Sequence, residues 1–285
     1  MKTDQLRPVY LVYPGLYPLL MFNYWVSSVR MPVVGIMLSG YDIKNKRKIL
    51  PLHQEVGFFL KRSGWRYSIY TLLIAKLGVF LLSIWNILRR LMGKKIKIRT
   101  FAQLAHDKGI PIYYTSDFNS REALNFLKNI NANLIVSAYN NQILKPKIIN
   151  FTKYKTINIH PGYLPDFRGV DAVFEALYHG VQKAGVTIHY VDTGIDTGSI
   201  ILQEKLRVRK GDTLFSLNVR LWMHGARMLK RVFDMIGEET IAPHRQRLDK
   251  AKYPYKSYPG KNRINEFIKN GGLLIKFKDL LNTLK

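Results

Sequence analysis

A chain of 285 residues with 47% hydrophobic and 22% charged side chains is long enough for one large α/β domain with extras or for two small domains, and apolar enough to bury a real core. It contains no cysteine, which excludes a disulfide framework and any thiolate metal site. Forty-five Lys and Arg against 19 Asp and Glu leave a formal charge of +26, a balance that favours an anionic partner such as nucleic acid, phospholipid or a phosphorylated substrate.

The N-terminal stretch lacks the basic start, apolar run and small-residue cleavage site of a secretory signal, so the cytoplasm is the expected compartment. "PVYLVYPG" (8–15) reads as a buried strand closed by a glycine turn. An apolar helix over 16–28 and a second strand in "PVVGIMLSG" (32–40) follow. "TFAQLAHDKGIPIYYTSD" (100–117) reads as a helix and then a strand, with Thr100 as N-cap and Gly109 as the left-handed residue past the helix end. "NSREALNFLKNINANLIVSAY" (119–139) repeats that scheme, and "YKTINIH" supplies the next strand. Beyond it the pattern predicts a helix over 171–180 and two strands around a Gly-rich turn over 184–208. A helix from Thr213 to about Gly237, capped by Asp212 and Thr213, closes the domain. Continuous apolar strands alternating with helices predict an α/β fold, a mostly parallel sheet with helices on both faces. Ligands of such sheets bind beyond the carboxyl ends of the strands. "NANLIVSAYNN" and "KTINIHPG" both bring polar residues to that edge.

One segment stands apart. Between the second strand and Thr100 lie about sixty residues where a short connection is usual. Within 67–88 the only charge is Lys76; Lys61, Arg62 and Arg66 precede it, and Arg89, Arg90, Lys94, Lys95, Lys97 and Arg99 follow. As a helix this stretch would be ~33 Å long, enough for a bilayer. Strands of one sheet flank it, however, so both ends stay in one compartment and a single span is excluded. An interfacial helix, a re-entrant hairpin broken near Gly78, and a helix buried in its own core or in a homodimer interface all remain open. From residue 44 to 99 there are fourteen Lys and Arg and one acid, Glu55, a net +13. Tyr67, Tyr70, Phe80 and Trp85 suit a membrane interface, and the basic flanks suit anionic lipid.

The chemistry concentrates further on. Asn158 and His160 alternate along a strand end and so share a face. "VDTGIDTG" sets Asp192 and Asp196 in a glycine-flanked loop. Asn, His and Asp without a cysteine or an obvious activated serine suit proton transfer and stabilisation of an oxyanion. A structural histidine at 160 and a turn aspartate at 196 are the alternatives. His160 and His189 lack a recognised ligand spacing, so no metal is expected.

"INIHPGYLPDFRG" together with "GVTIHYVDTGIDTGSIILQ" resembles the formyltransferases that use 10-formyltetrahydrofolate: the glycinamide ribonucleotide, methionyl-tRNA and amino-sugar N-formyltransferases. The resemblance runs over 100–236 and more loosely over 8–40. It implies a Rossmann-like formyltransferase fold and a catalytic set of Asn158, His160 and Asp196. It also implies a folate pocket lined by Asn140, Asn141, Gln142, Ile143 and Leu144, largely through backbone groups, and closed by a loop bearing Val191, Asp192 and Gly194. The "GYLPDFRG" loop would shape the acceptor site with Tyr163, Phe167, Arg168 and Asp171. Arg168 suits a bidentate grip on phosphate or carboxylate, or is a surface arginine; Asp171 is a ligand or an N-cap.

The organisation expected is a catalytic domain over 1–237, with a basic and apolar helical insert over 44–99, and a helical extension over 238–285. That extension is too short for the C-terminal β-barrel carried by the enzymes acting on initiator tRNA, so nucleic acid is not favoured. "YPGLYPLLMFNYW" is not the Gly-rich phosphate loop of the purine-pathway enzymes. An amino sugar, nucleotide- or lipid-linked, is the expected small-molecule acceptor, with the enzyme at the inner face of a bacterial membrane. An RNA- or peptide-linked amine, or a non-catalytic membrane-associated scaffold, is the alternative.

Overall fold

A computed structural model describes residues 5–29, 32–40, 52–96 and 98–284. Residues 44–51 of the insert and Lys97 lie outside these described residues. Seven strands form one sheet: β1 (Pro8–Val12), β2 (Gly35–Ser39), β3 (Ile112–Thr115), β4 (Leu134–Ala138), β5 (Thr156–His160), β6 (Lys183–Tyr190) and β7 (Ile200–Arg207), in the order β3-β2-β1-β4-β5-β6-β7. β1 to β5 pair in parallel, whereas β6 runs antiparallel to β5, and β7 to β6. The mostly parallel sheet expected from the sequence is present. Strand order turns back between β1 and β4, which opens a crevice at their carboxyl ends.

The apolar runs are explained by cover on both faces. Along β1, Tyr10 and Val12 join one core with α1 (Leu16–Tyr24), α5 (Phe101–Lys108) and α9 (Leu214–Gly237). Val9 and Leu11 join the other, with α6 (Arg121–Asn129) and α7 (Pro146–Ile149). Thr100 caps α5 in a capping box with Gln103, and Gly109 follows at φ 63°. Thr213 caps α9 in the same way with Ser216. A Cβ on Gly225 of α9 would overlap Ile159 and Val186, so that glycine lets the helix sit close on the sheet.

The insert forms α2 (Leu52–Ser63), α3 (Trp65–Leu72) and α4 (Gly78–Leu91), with a π-helical turn over Leu73–Leu77 joining the last two into one continuous helix. Gly78 does not break it: its backbone is helical at φ −60° and ψ −41°. A Cβ there would press on the Leu73 carbonyl and on the Leu16 side chain, so the glycine serves close packing rather than a hairpin. Tyr67, Tyr70, Ile74 and Leu82 are buried in the domain's own core, which removes the two tyrosines from any interfacial belt. Among the described residues no helix is long and apolar enough to cross a membrane.

Past α9 the chain bridges His244 to Ile200, then forms α10 (Lys261–Lys269) and α11 (Phe277–Leu284). Ile264 and Phe267 enter the main core. Arg263 grips the buried Glu175 of α8 (Ala172–Tyr178) bidentately at 2.5 and 2.7 Å. Removing Arg263 strands a buried carboxylate, so Arg263→Ala should cost about 3 kcal/mol in urea unfolding. The pair Arg263→Met with Glu175→Leu should regain most of that loss, because no charge is then left buried.

Candidate active site

β5 delivers Asn158 and His160 to the crevice, and the turn after it fixes the histidine. A Cβ on Gly162 would overlap the His160 ring, so only glycine lets the chain leave the strand over that ring. The Phe167 carbonyl lies 2.9 Å from His160 Nε2. A carbonyl only accepts, so Nε2 carries the proton and Nδ1 is left facing Asp196 Oδ2 at 3.6 Å.

The antiparallel β6 sets His189 opposite Asn158 in register. His189 Nδ1–H donates to the Tyr190 carbonyl at 2.7 Å, so its Nε2 presents a lone pair. That lone pair accepts from the Asn158 amide at 3.2 Å and lies 3.6 Å from Asp196 Oδ1. One carboxylate therefore stands between two histidines. Asp196 sits in the left-handed region at φ 54°, which aspartate tolerates better than most residues. Its Oδ2 accepts from Gly169 N–H at 2.9 Å. The Gln246 amide holds the carbonyls of Asp196 at 2.9 Å and Gly198 at 2.7 Å. Asp192 closes the loop upstream by accepting from Gly194 N–H and the Thr197 hydroxyl.

Burial alone would raise the Asp196 carboxyl. The His160 and His189 rings and the Gly169 N–H outweigh it and hold the group well below the usual carboxylate range. His160 moves the other way: burial lowers it against the pull of Asp196, so the ring is neutral near pH 7.

These residues line a cavity of about 490 Å³ at the carboxyl ends of β1, β4 and β5. Asn140, Asn141, Gln142, Ile143 and Leu144 line it, as do Val191, Asp192 and Gly194. The polar side chains of the first segment are partly spent on the scaffold. The Gln142 amide accepts from Phe118 N–H and donates to Ser39 and to the Ser116 carbonyl, while Asn140 braces Gln142.

Tyr163, Phe167 and Arg168 do not line this cavity. The bridge from Gly169 to Lys256, and the Asp166 carboxylate on Tyr253 N–H, pull their loop towards the C-terminal segment. Tyr163 packs over Gly185 beneath the Lys205 ammonium. Phe167 stacks on Tyr253 with 4.6 Å between centroids and reaches the site only through its carbonyl. Arg168 keeps its Nε buried without a hydrogen-bond partner. Asp171 does line the cavity and is also the N-cap of α8, so both readings of it coexist. Its Oδ2 accepts from the Tyr67 hydroxyl at 2.5 Å.

Sequence reasoning missed the insert's share of the wall: Phe59, Tyr67, Tyr70 and Ile74 line the cavity. It also missed Trp222 and Asn218 of α9. For His189 a signal existed, since it alternates on the strand that must lie beside "TINIH". For Gln246 there was none.

The sequence profile of the family described as Formyl transferase matches residues 87–233, more than half of the chain. The chain belongs to the formyl transferase family. It is 32% identical over 154 residues to the methionyl-tRNA formyltransferase of Fusobacterium nucleatum, which covers 54% of this chain and 50% of that protein. The Halothermothrix orenii methionyl-tRNA formyltransferase gives 32% over 165 residues, covering 58% and 52%. The chain thus spans about half the length of the curated relatives it matches. Among solved structures, glycinamide ribonucleotide transformylase 1 from Symbiobacterium toebii superposes with a TM-score of 0.56 at 18% identity, covering 86% of this chain and 96% of that one. The N-formyltransferase from Helicobacter canadensis, solved with folinic acid and dTDP-3-aminofucose, gives 0.54 at 16%, covering 96% and 85%. At such identities the likeness is one of fold, and the fold is that of the family.

Burial raises the Asp171 carboxyl to about 6, against the Tyr67 and Phe174 hydrogen bonds that lower it. Folding therefore favours its protonated form. Its contribution to stability is full below the unfolded value near 4 and is lost as pH rises through about 6. Asp171→Asn keeps a side-chain oxygen for the cap and cannot ionise. Its stability relative to the unsubstituted chain should climb by about 2 kcal/mol between pH 4 and 7, read from unfolding midpoints across that range.

Proposed function

We propose that the chain transfers the formyl group of 10-formyltetrahydrofolate to the primary amine of an amino sugar, nucleotide- or lipid-linked, in bacterial envelope glycan assembly. On this reading the enzyme works in the cytoplasm. The observation that carries the proposal is the meeting of Asn158, His160 and Asp196 in one cavity whose other walls are the 140–144 and 191–196 segments.

Attack of the amine on the formyl carbon forms a C–N bond, puts negative charge on the formyl oxygen and positive charge on nitrogen. The Asn158 amide has two N–H groups. One is held by His189, and the other is free to donate to that oxygen, an interaction worth ~3 kcal/mol. Neutral His160 offers Nδ1 as the proton acceptor for the ammonium, and Asp196 stabilises the imidazolium that results. The same proton then goes to the departing N10 as the old C–N bond breaks. The proton balance closes within the chain's own side chains, and His189 positions rather than reacts. A cavity of this size fits a pterin ring with a sugar, and the rings of Tyr13, Tyr17 and Trp222 supply flat apolar walls for both.

The methionyl-tRNA formyltransferases among the relatives, together with the +26 charge, favour an RNA-linked amine as the second reading. Incubation with 10-formyltetrahydrofolate and either a panel of nucleotide- and lipid-linked amino sugars or aminoacylated tRNA separates the two. Tetrahydrofolate should be released with a sugar. Release with tRNA alone would replace the sugar, and release with neither would sink the transferase reading.

With the sugar found, His160→Ala and Asp196→Ala should each abolish measurable turnover in a folded protein, and Asn158→Ala should lower kcat about a hundredfold. Because burial lowers His160, the acid limb of kcat/KM should fall below the ordinary histidine range.

A further inference from the structure

The long helix of the insert is built inside out. On α4 the positions turned to the domain include the buried Leu82 and Asn86, and the Asn86 amide donates to the Ile98 carbonyl at 2.8 Å. Phe80, Leu81, Ile84, Ile87, Leu88 and Leu91 face outward, with Phe80 at 61% and Leu91 at 79% exposure. Their spacing is that of one helical face, which in a water-facing helix belongs to the core. Trp65 and Ile69 extend the face along α3, at 59% and 57%. A contiguous apolar surface of this kind calls for a cover.

The fringe of the face identifies the cover. Exposed Lys61, Arg62 and Arg66 lie at one end, and Arg90, Lys94 and Lys95 at the other. Residues 44–99 carry fourteen basic residues and a single acid. Apposing this face with the same face of a second copy would bring two equal basic fringes together. Nucleic acid would meet the charge but leave the apolar centre against water. A bilayer with anionic headgroups meets both at once. The other side of the helix is committed to the domain through Tyr67, Tyr70, Ile74 and Leu82, so the helix lies flat on such a surface.

We propose that the outward face of residues 65–91, with its basic fringe, docks the chain on an anionic lipid bilayer. Tyr67, Tyr70 and Ile74 of the same helix line the cavity, so one helix width, ~10 Å, separates the cavity from the docked face. What the cavity does there rests on the function proposed above; docking does not, and is read without substrate.

The test is flotation of the full chain with phosphatidylcholine vesicles, with and without a third of phosphatidylglycerol. The chain should float with the anionic vesicles and remain below with the neutral ones. The triple variant Phe80→Ser, Ile84→Ser, Leu88→Ser, with an unchanged unfolding midpoint, should lose at least tenfold in partition coefficient. High salt should weaken binding several-fold without abolishing it. If the variant does not fold, the unsubstituted chain still decides the matter. Trp65 and Trp85 are exposed, so anionic vesicles should shift tryptophan emission to the blue and shield it from an aqueous quencher. Absence of both flotation and shift overturns the proposal. So does equal binding to neutral vesicles, or a dimer in sedimentation that the triple variant converts to monomer.

Discussion

A carboxylate withdrawn from water needs polar partners at both of its oxygens, and that demand organises the Asp196 neighbourhood. One oxygen faces His160 and takes the Gly169 N–H; the other faces His189. These partners come from β5, from the loop after it and from β6, while Gln246 of the C-terminal segment holds the aspartate's backbone. Three stretches between His160 and His189, and a fourth at Gln246, are thereby fixed around one residue. The reversal of strand direction at β6 matters here. It allows His189 to sit beside Asn158 and fix that amide, which a sixth parallel strand in another register would not do.

The parts that were legible in the sequence are those governed by local rules. β1, β2 and β4 show as apolar runs because both of their faces are covered, and α5 shows through Thr100 and Gly109 because capping is local chemistry. Asn158, His160 and Asp196 were legible through alternation and loop composition, and they meet in one cavity. The acceptor loop was not. Whether Tyr163 and Phe167 turn inward depends on Tyr253 and Lys256, nearly ninety residues later, and no spacing within "GYLPDFRG" encodes that. Asp171 escaped a single role for the same reason, since its partner Tyr67 lies in the insert.

The insert shows the limit of hydropathy as a signal. Its run with Lys76 as the only charge told that something apolar covers it, but not which side. Only packing separates Tyr67, Tyr70 and Ile74, which look into the domain, from Phe80, Ile84 and Leu91, which look away. The widened π-helical turn at Leu73–Leu77 carries Ile74, the last of the inward set, and precedes the outward one.

The wall made by Tyr67, Tyr70 and Ile74 bears on a competition that any formyl donor faces. A site able to activate an amine can also activate water, which is always in excess. Hydrolysis would release formate and waste the donor. Rings and aliphatic side chains along the wall leave less room for water beside a bound amine. The segment that stands apart in the sequence is thus part of the wall around Asn158, His160 and Asp196, and a change in its inward side chains is a change in how much water that space admits.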